Sequence, residues 1–195
     1  MHSPAHKIII ITAPSGAGKT SITRHLLNTF PGQVAFSISA ATRQRRDYEK
    51  DRVDYYFMST EEFKEKIKEN AFVEWEMVYE GKYYGTLKSE IHRIWKEGKA
   101  PLLDIDVKGA VHVQQQHQEQ TLSIFIEAPS IDELKKRLQS RGTESQESLT
   151  ARINKAAYEL SFKDHFDKVI VNDDLDRACK EAEEITRQFL EPKES

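Results

Sequence analysis

The stretch at residues 13–20 constrains the fold of this chain more than any other feature. It follows a run of four isoleucines and precedes a segment with a helical pattern. A glycine-rich loop in that context wraps a chain of phosphates, because its backbone N–H groups turn inward, its lysine carries a fixed charge and its last hydroxyl reaches Mg²⁺. This phosphate loop consists of Ala13, Pro14, Ser15, Gly16, Ala17, Gly18, Lys19 and Thr20. It predicts a nucleoside triphosphate site, although alanine stands where the usual pattern begins with glycine.

Composition narrows the class of protein. The chain has 195 residues and a net charge of −3 with both signs interspersed, so we expect one domain and no nucleic-acid partner. No apolar run approaches the ~18 residues of a membrane span, so no membrane partner is expected. The single cysteine, Cys179, excludes an internal disulfide and suits a reducing compartment. We therefore expect a cytoplasmic protein with Cys179 buried on a helix.

Alternating strand and helix patterns predict an α/β fold. Apolar runs typical of buried parallel strands occur at residues 7–12, 34–37, 101–106, 122–127 and 168–172. Helical patterns lie between or after them, at residues 19–30, 130–140, 145–162 and 174–190. This alternation is typical of helices packed on both faces of a central parallel sheet.

Residues 37–95 break this rhythm. Short strand-like pieces occur at 54–58, 72–79 and 82–84, and a capping box at Ser59 opens a short helix. We expect an inserted, mostly antiparallel flap over the carboxyl ends of the main strands, where ligands bind in open α/β sheets.

Two clusters of arginines point to phosphate chemistry. They comprise Arg43, Arg45 and Arg46 after a predicted strand, and Arg137, Arg141 and Arg152 around a polar stretch. Planar guanidinium groups bind the oxygens of a transferring phosphoryl group at two points. The alternative for any single arginine is a solvated basic face.

Carboxylates on two strands suggest recognition of a base and of a metal ion. Glu74 and Glu76 share one face of the strand at 72–79. A partly enclosed Glu74 can accept hydrogen bonds from N1–H and N2–H₂ of guanine, donors that adenine lacks, whereas Glu76 is expected to be solvated. Asp104 and Asp106 end another strand, where one can hold Mg²⁺ or its waters and the other a second ligand. A structural ion pair is the alternative.

These residues belong to a longer series that resembles the guanylate kinase family, whose members phosphorylate GMP to GDP with ATP. The matching segments run in the family's order, at residues 13–20, 36–39, 42–43, 53–57, 72–75, 83–86, 103–109, 138–144 and 169–173. The resemblance implies a P-loop NTPase fold with three α/β/α layers, ATP and GMP as substrates, and no obligate protein partner. It divides the chain into a core at about 1–36, 96–136 and 153–195, a GMP-binding insertion at about 37–95 and a helical lid at about 137–152.

The resemblance also implies roles for individual residues. Those that would read the guanine base are Ser39, Glu74, Thr86 and Asp104. Those that would hold the GMP phosphate are Arg43, Arg46, Tyr55 and Tyr84. Lys19 would bridge the ATP phosphates, Asn172 would lie near the adenine, and Thr20 with Asp106 would form the Mg²⁺ environment. The lid arginines that would close over the transferring group are Arg137, Arg141 and Arg152. The chain departs from the family pattern at Ala13, Arg45 and Tyr48.

Three other functions compete with this interpretation. Guanylate kinase-like domains of scaffold proteins bind phosphopeptides, but they typically lack the loop residues that this chain keeps. A GTPase switch would fit the D-x-x-G pattern at 106–109, yet no N-K-x-D pattern follows, because Asn154 and Lys155 continue into a helical segment. A kinase for another small phosphate acceptor is the nearest rival, and Glu74 together with Ser39 argues against it.

Overall fold

The computed structural model describes residues 6–140 and 146–191. In chain order the strands are β1 (Ile8–Thr12), β2 (Val34–Phe36), β3 (Ala40–Ala41), β4 (Tyr56–Phe57), β5 (Phe72–Tyr79), β6 (Lys82–Leu87), β7 (Ala100–Asp104), β8 (Thr121–Glu127) and β9 (Lys168–Val171). The α-helices are α1 (Lys19–Thr29), α2 (Thr60–Lys68), α3 (Lys88–Lys96), α4 (Val107–Gln116), α5 (Ile131–Ser140), α6 (Gln146–Leu160) and α7 (Leu175–Leu190). Five parallel strands form the central sheet, in the order β2-β7-β1-β8-β9.

Helices cover both faces of the central sheet. Every residue of β1 is buried, and its isoleucines alternate between two hydrophobic clusters. Ile9 and Ile11 pack with residues of α1, α5 and α7, whereas Ile8 and Ile10 pack with residues of α3 and α4. A strand buried on both faces has a continuous apolar run instead of an alternating one, which explains the four consecutive isoleucines. The predicted α/β fold with a parallel central sheet is confirmed.

A second, mixed sheet lies in the chain between β2 and β7, and we call residues 40–87 the flap. Its order is β4-β3-β6-β5, in which β3 pairs parallel with β4 while β6 pairs antiparallel with both β3 and β5. The flap has a small core of its own, where Phe63 of α2 stacks on Phe72 with 4.3 Å between the ring centroids. The predicted insertion of mostly antiparallel strands is confirmed.

Strand β7 ends earlier than predicted, at a functional position. β7 ends at Asp104, not at residue 106, and Asp106 is the N-cap of α4, where its Oδ1 accepts a hydrogen bond of 2.8 Å from the N–H of Gly109. The sequence analysis set no boundaries for α3 or α4. Helix α4 is rich in valine and contains a glycine, so its propensity is weak, and the burial of Val107 and Val113 against the sheet stabilises it.

Cys179 lies buried on α7, as predicted. Among the residues that the structure describes, no helix is both long enough and apolar enough to cross a bilayer.

Candidate functional site

The phosphate loop leaves the carboxyl end of β1 and leads into α1. Its left-handed residues are glycines, with φ of +90° at Gly16 and +102° at Gly18, and Ala13 is not among them. Helix α1 has no side-chain cap at its N-terminus, so the positive end of its dipole faces the loop. A cavity of about 310 Å³, which we call the loop cavity, is lined by residues of this loop, including Lys19 and Thr20. Asp106, Lys155 and Glu159 also line it. The local geometry suits a chain of phosphates.

A second cavity of about 240 Å³ lies between the flap and the carboxyl end of β7, and we call it the flap cavity. Its lining brings together predicted site residues from distant segments, namely Lys19, Ser39, Tyr55, Glu74, Tyr84, Asp104 and Asp106. Glu76 was expected to be solvated, but it is half-buried and borders the same cavity. Lys19 and Asp106 line both cavities, so ligands in the two cavities would meet at these residues.

Lys19 forms an ion pair across the boundary between the cavities. Its Nζ lies 2.5 Å from Oδ1 of Asp104. The contact follows from the sheet, because β1 and β7 are neighbours and Asp104 is in register with Ile11, two residues before the loop begins. The ion pair that was the alternative for Asp104 is therefore present, and it links the loop to the flap cavity.

Glu74 is a buried carboxylate held at the wall of the flap cavity. Its residue is 6% exposed, and its Oε1 accepts a hydrogen bond of 2.6 Å from the hydroxyl of Thr86. A Cβ at position 109 would lie 2.6 Å from Oε2 of Glu74, so Gly109 lets α4 approach the carboxylate closely. Burial raises the pKa of the Glu74 carboxyl to about 7. A fixed and largely desolvated acceptor of this kind favours ligands that donate to it.

Arg43 is held rigidly by Glu49. Its guanidinium donates to both carboxylate oxygens, each at 2.6 Å, and lies 4.8 Å from the centroid of the Tyr55 ring. The hydrogen bonds from Arg43 lower the pKa of Glu49 to about 2. Glu49 also accepts the backbone N–H of Arg46 at 2.9 Å, whereas the Arg46 side chain is exposed and donates to Tyr48. The sequence analysis did not select Glu49, because a lone acid in a charged loop gives no specific signal.

Glu90 is another buried carboxylate that the sequence analysis missed. It accepts hydrogen bonds from the backbone N–H of Ile38 at 3.1 Å and from the hydroxyl of Tyr56 at 2.7 Å, and it forms an ion pair of 2.8 Å with Arg93. Ile38 precedes Ser39 at the junction between the central sheet and the flap. Glu90 therefore fixes the backbone that presents Ser39, although its position in α3 resembles that of an ordinary surface residue.

Two of the predicted lid arginines lie on helices α5 and α6. Arg137 lies on α5, and its guanidinium donates to Glu133 at 3.1 Å and to the backbone carbonyl of Asn172 at 3.0 Å. Arg152 lies on α6, and Arg141 lies outside the described residues. Of the three predicted arginines, Arg137 is thus anchored beside a second predicted site residue.

Oxygen donors suited to Mg²⁺ line the loop cavity. The hydroxyl of Thr20 and the carboxylate of Asp106 were predicted, and the structure adds the carboxylate of Glu159. Glu159 is 5% exposed, and its Oε1 lies 3.8 Å from Nζ of Lys155. Burial raises the pKa of Glu159. Within 6–140 and 146–191, no group of three or more His, Cys, Asp or Glu residues can hold a metal ion. This donor set fits Mg²⁺, which takes one or two carboxylates and completes its shell with phosphates and water.

Comparisons with known proteins show the family of this chain. The family model described as guanylate kinase matches residues 5–189. A guanylate kinase of Bacteroides thetaiotaomicron is 46% identical over 184 residues, which cover 94% of this chain and 90% of that protein. A guanylate kinase of Salinibacter ruber is 46% identical over 187 residues, which cover 96% of this chain and 98% of that protein. The crystal structure of a guanylate kinase from Anaplasma phagocytophilum has a TM-score of 0.74 at 28% identity, covering 96% of this chain and 87% of that one. The chain belongs to the guanylate kinase family.

Proposed function

We propose that this enzyme transfers the γ-phosphoryl group of ATP to GMP and forms ADP and GDP. The observation that carries the proposal is that Lys19 lines two adjoining cavities of different character. The loop cavity is bordered by a glycine-rich turn and the N-terminus of α1, which suit a triphosphate. The flap cavity contains a buried acid and aromatic side chains, which suit a purine monophosphate.

In the proposed complex the guanine base lies against Glu74. Its N1–H and N2–H₂ groups donate to the carboxylate, which Thr86 holds in place. Ser39 and Asp104 supply further polar contacts from the same cavity. Adenine would leave the Glu74 carboxylate without these donors, and a buried acceptor without a donor costs about 1–3 kcal/mol. GMP is therefore preferred over AMP.

The GMP phosphate is bound at the opposite end of the flap cavity in this proposal. Tyr55 and Tyr84 line the cavity, with 6.2 Å between their ring centroids, and Arg43 lies on the Tyr55 ring. Arg43 is already oriented by Glu49, so it loses little freedom when it binds a phosphate oxygen. Arg46 contributes its charge from the exposed side of the loop.

Phosphoryl transfer then needs little covalent participation from the protein. An oxygen of the GMP phosphate attacks the γ-phosphorus in line, and the bond from that phosphorus to the bridging oxygen of ADP breaks. Lys19 binds the phosphate oxygens, and the lid arginines Arg137, Arg141 and Arg152 stabilise the charge of the transferring group. The insertion at about 37–95 and the lid at about 137–152 close to exclude water, which would otherwise hydrolyse ATP.

The proposal includes a place for Mg²⁺ and for the adenine. Thr20 and Asp106 would hold the ion, and Glu159 faces the same cavity. Bound there, Mg²⁺ neutralises charge on the β- and γ-phosphates. The adenine lies toward Asn172, at the side of the phosphate loop where Arg137 is anchored.

An ADP-release assay with five nucleoside monophosphates tests the proposal. GMP should support turnover with a kcat/KM at least about 100-fold above that of AMP, CMP, UMP or dTMP, because the rivals lose hydrogen bonds to a buried carboxylate. Preference for another monophosphate would contradict the assignment of the acceptor. ADP release at the same rate without any acceptor would contradict phosphoryl transfer altogether.

A further inference from the structure

The side-chain amide of Asn172 lies against the phosphate loop. Asn172 directly follows β9, its backbone N–H donates to the carbonyl of Glu127 at 2.8 Å, and the residue is 4% exposed. Its Nδ2 donates to the carbonyl of Ala17 at 2.7 Å. A buried amide on a fixed backbone thus holds one carbonyl of the loop.

The contact with the loop is close enough to exclude a side chain at the next position. A Cβ at Gly18 would lie 2.2 Å from Nδ2 of Asn172, and the φ of Gly18 is +102°. Gly18 is therefore required both for its left-handed backbone and for the space that the amide occupies. The side chain of Asn172 thus packs directly against Gly18, the residue that precedes Lys19 in the chain.

We infer that Asn172 is a positioning residue, whose amide turns the peptide between Ala17 and Gly18 so that the Gly18 N–H points at the phosphates of the donor. No cis peptide bond occurs in the described chain, and a planar trans peptide directs its carbonyl and its N–H to opposite sides. Because the Ala17 carbonyl is held toward Asn172, the Gly18 N–H faces the other way. Gly18 itself lines the loop cavity, which is where that N–H can meet a phosphate oxygen.

The same residue also anchors an arginine of the proposed lid. The backbone carbonyl of Asn172 accepts a hydrogen bond of 3.0 Å from Nη2 of Arg137. Asn172 thus joins the phosphate loop, through its side chain, to helix α5, through its backbone. This inference rests on the proposed function, since it requires a nucleoside triphosphate at the loop.

A positioning role differs from a contact with the adenine base in one measurable respect. If the amide orients a loop N–H, its loss weakens every ligand that carries the phosphates, whatever the base. If the amide instead reads adenine, its loss weakens ATP alone and leaves a phosphate chain without a base unaffected.

The test is calorimetric titration of the protein with ATP, GTP and inorganic tripolyphosphate, each with Mg²⁺. Asn172→Asp replaces the donor by a carboxylate that repels the Ala17 carbonyl, and Asn172→Ala removes the donor without adding charge. The matched control is Asp173→Asn, which changes a neighbouring exposed side chain. Unfolding curves and GMP titrations identify the variants that keep the fold, because GMP is proposed to bind in the flap cavity and not at the phosphate loop. If Asn172→Asp does not fold, Asn172→Ala provides the test.

We expect both Asn172 variants to lose about tenfold in affinity for all three ligands, the effect of one hydrogen bond, with GMP affinity and the ratio of kcat/KM for ATP and GTP unchanged. Unchanged binding of tripolyphosphate, or a loss confined to ATP, would overturn the inference while leaving the proposed function intact. If the wild-type protein bound neither ATP nor tripolyphosphate, the proposed function itself would fail, and the inference with it.

Discussion

Nζ of Lys19 and Oδ1 of Asp104 lie 2.5 Å apart, and this ion pair joins the two cavities of the protein. Lys19 belongs to the phosphate loop and is the first residue of α1, and Asp104 ends the neighbouring strand β7. In the proposed complex, Lys19 would share its charge between the phosphate oxygens and Asp104. We therefore expect the carboxylate to influence how strongly the lysine binds ATP, while it also lines the flap cavity proposed for GMP.

Substituting Asp104 by Asn should separate these two effects. We expect the KM for GMP to rise about tenfold, since a charged acceptor in the flap cavity is lost, while the KM for ATP stays constant or falls. Steady-state kinetics with each substrate varied in turn provides the measurement, and Asp176→Asn, at an exposed position of α7, is the control. Equal increases of both KM values would show that Asp104 does not distinguish the substrates.

Glu74→Gln should weaken GMP binding and stabilise the protein at the same time. The amide NH₂ that replaces one carboxylate oxygen opposes the guanine donors, so we expect the affinity for GMP to fall at least about tenfold with ATP affinity unchanged. In the folded state burial raises the pKa of Glu74 from 4.5 to about 7. The wild-type carboxyl therefore becomes destabilising as the pH rises through this interval, by up to roughly 3 kcal/mol.

Urea unfolding at pH 5 and pH 8 measures the effect of Glu74→Gln on stability. The free energy of unfolding of the variant should exceed that of the wild type by more at pH 8 than at pH 5. Glu61→Gln, in the exposed first turn of α2, should show no such difference. If the difference in free energy of unfolding between the variant and the wild type did not change with pH, burial would not raise the pKa of the Glu74 carboxyl.

The same carboxyl predicts a pH dependence of substrate binding. In the proposed complex guanine binds the ionised form, so we expect the KM for GMP to rise as the pH falls below about 7 and to approach a tenfold change per pH unit. The phosphate of GMP titrates in the same range, with a pKa of about 6. In Glu74→Gln only this phosphate titration affects the KM for GMP, so the pH profile of the variant shows how much of the wild-type change comes from the phosphate. Parallel pH profiles for the wild type and the variant would contradict the role of Glu74.

Arg43→Lys tests the orientation of the guanidinium by Glu49. A lysine keeps the charge but not the paired hydrogen bonds, so we expect the affinity for GMP to fall about tenfold to 100-fold. The affinity for guanosine, which has no phosphate, should not change, and Arg187→Lys on α7 serves as the control. Equal losses of affinity for GMP and guanosine would indicate that Arg43 stabilises the structure of the flap cavity and does not bind the phosphate.

Local patterns predicted those parts of the fold that depend on residues near one another in the chain. The β-branched isoleucines of β1 favour a strand, and Gly16 and Gly18 permit the left-handed turns of the phosphate loop, so strand, loop and helix were predictable together. Asp106 was wrongly assigned to a strand, because its capping of α4 depends on a valine-rich helix that forms only when it packs on the sheet.

The buried carboxylates outside the motifs were not predictable. Glu90 and Glu159 lie on helices whose sequences resemble solvated amphipathic helices. They are buried by contacts with other segments, such as those of Glu90 with Ile38 and Tyr56. Glu49 likewise acquires its function from the position of Arg43, to which it is bound by two hydrogen bonds. A sequence records which residue types are available, whereas the desolvation of a charge depends on contacts between distant segments.

The most direct test follows the γ-phosphoryl group in wild-type protein and in Lys19→Met, which keeps most of the length of the side chain without its charge. With γ-labelled ATP and GMP, the wild type should place the label in GDP in equal amount to the ADP formed. Lys19→Met should lose at least about 100-fold in that rate while it still binds GMP. A variant that transfers the label at the wild-type rate, or a wild type that releases it as inorganic phosphate, would contradict transfer between the two cavities at Lys19.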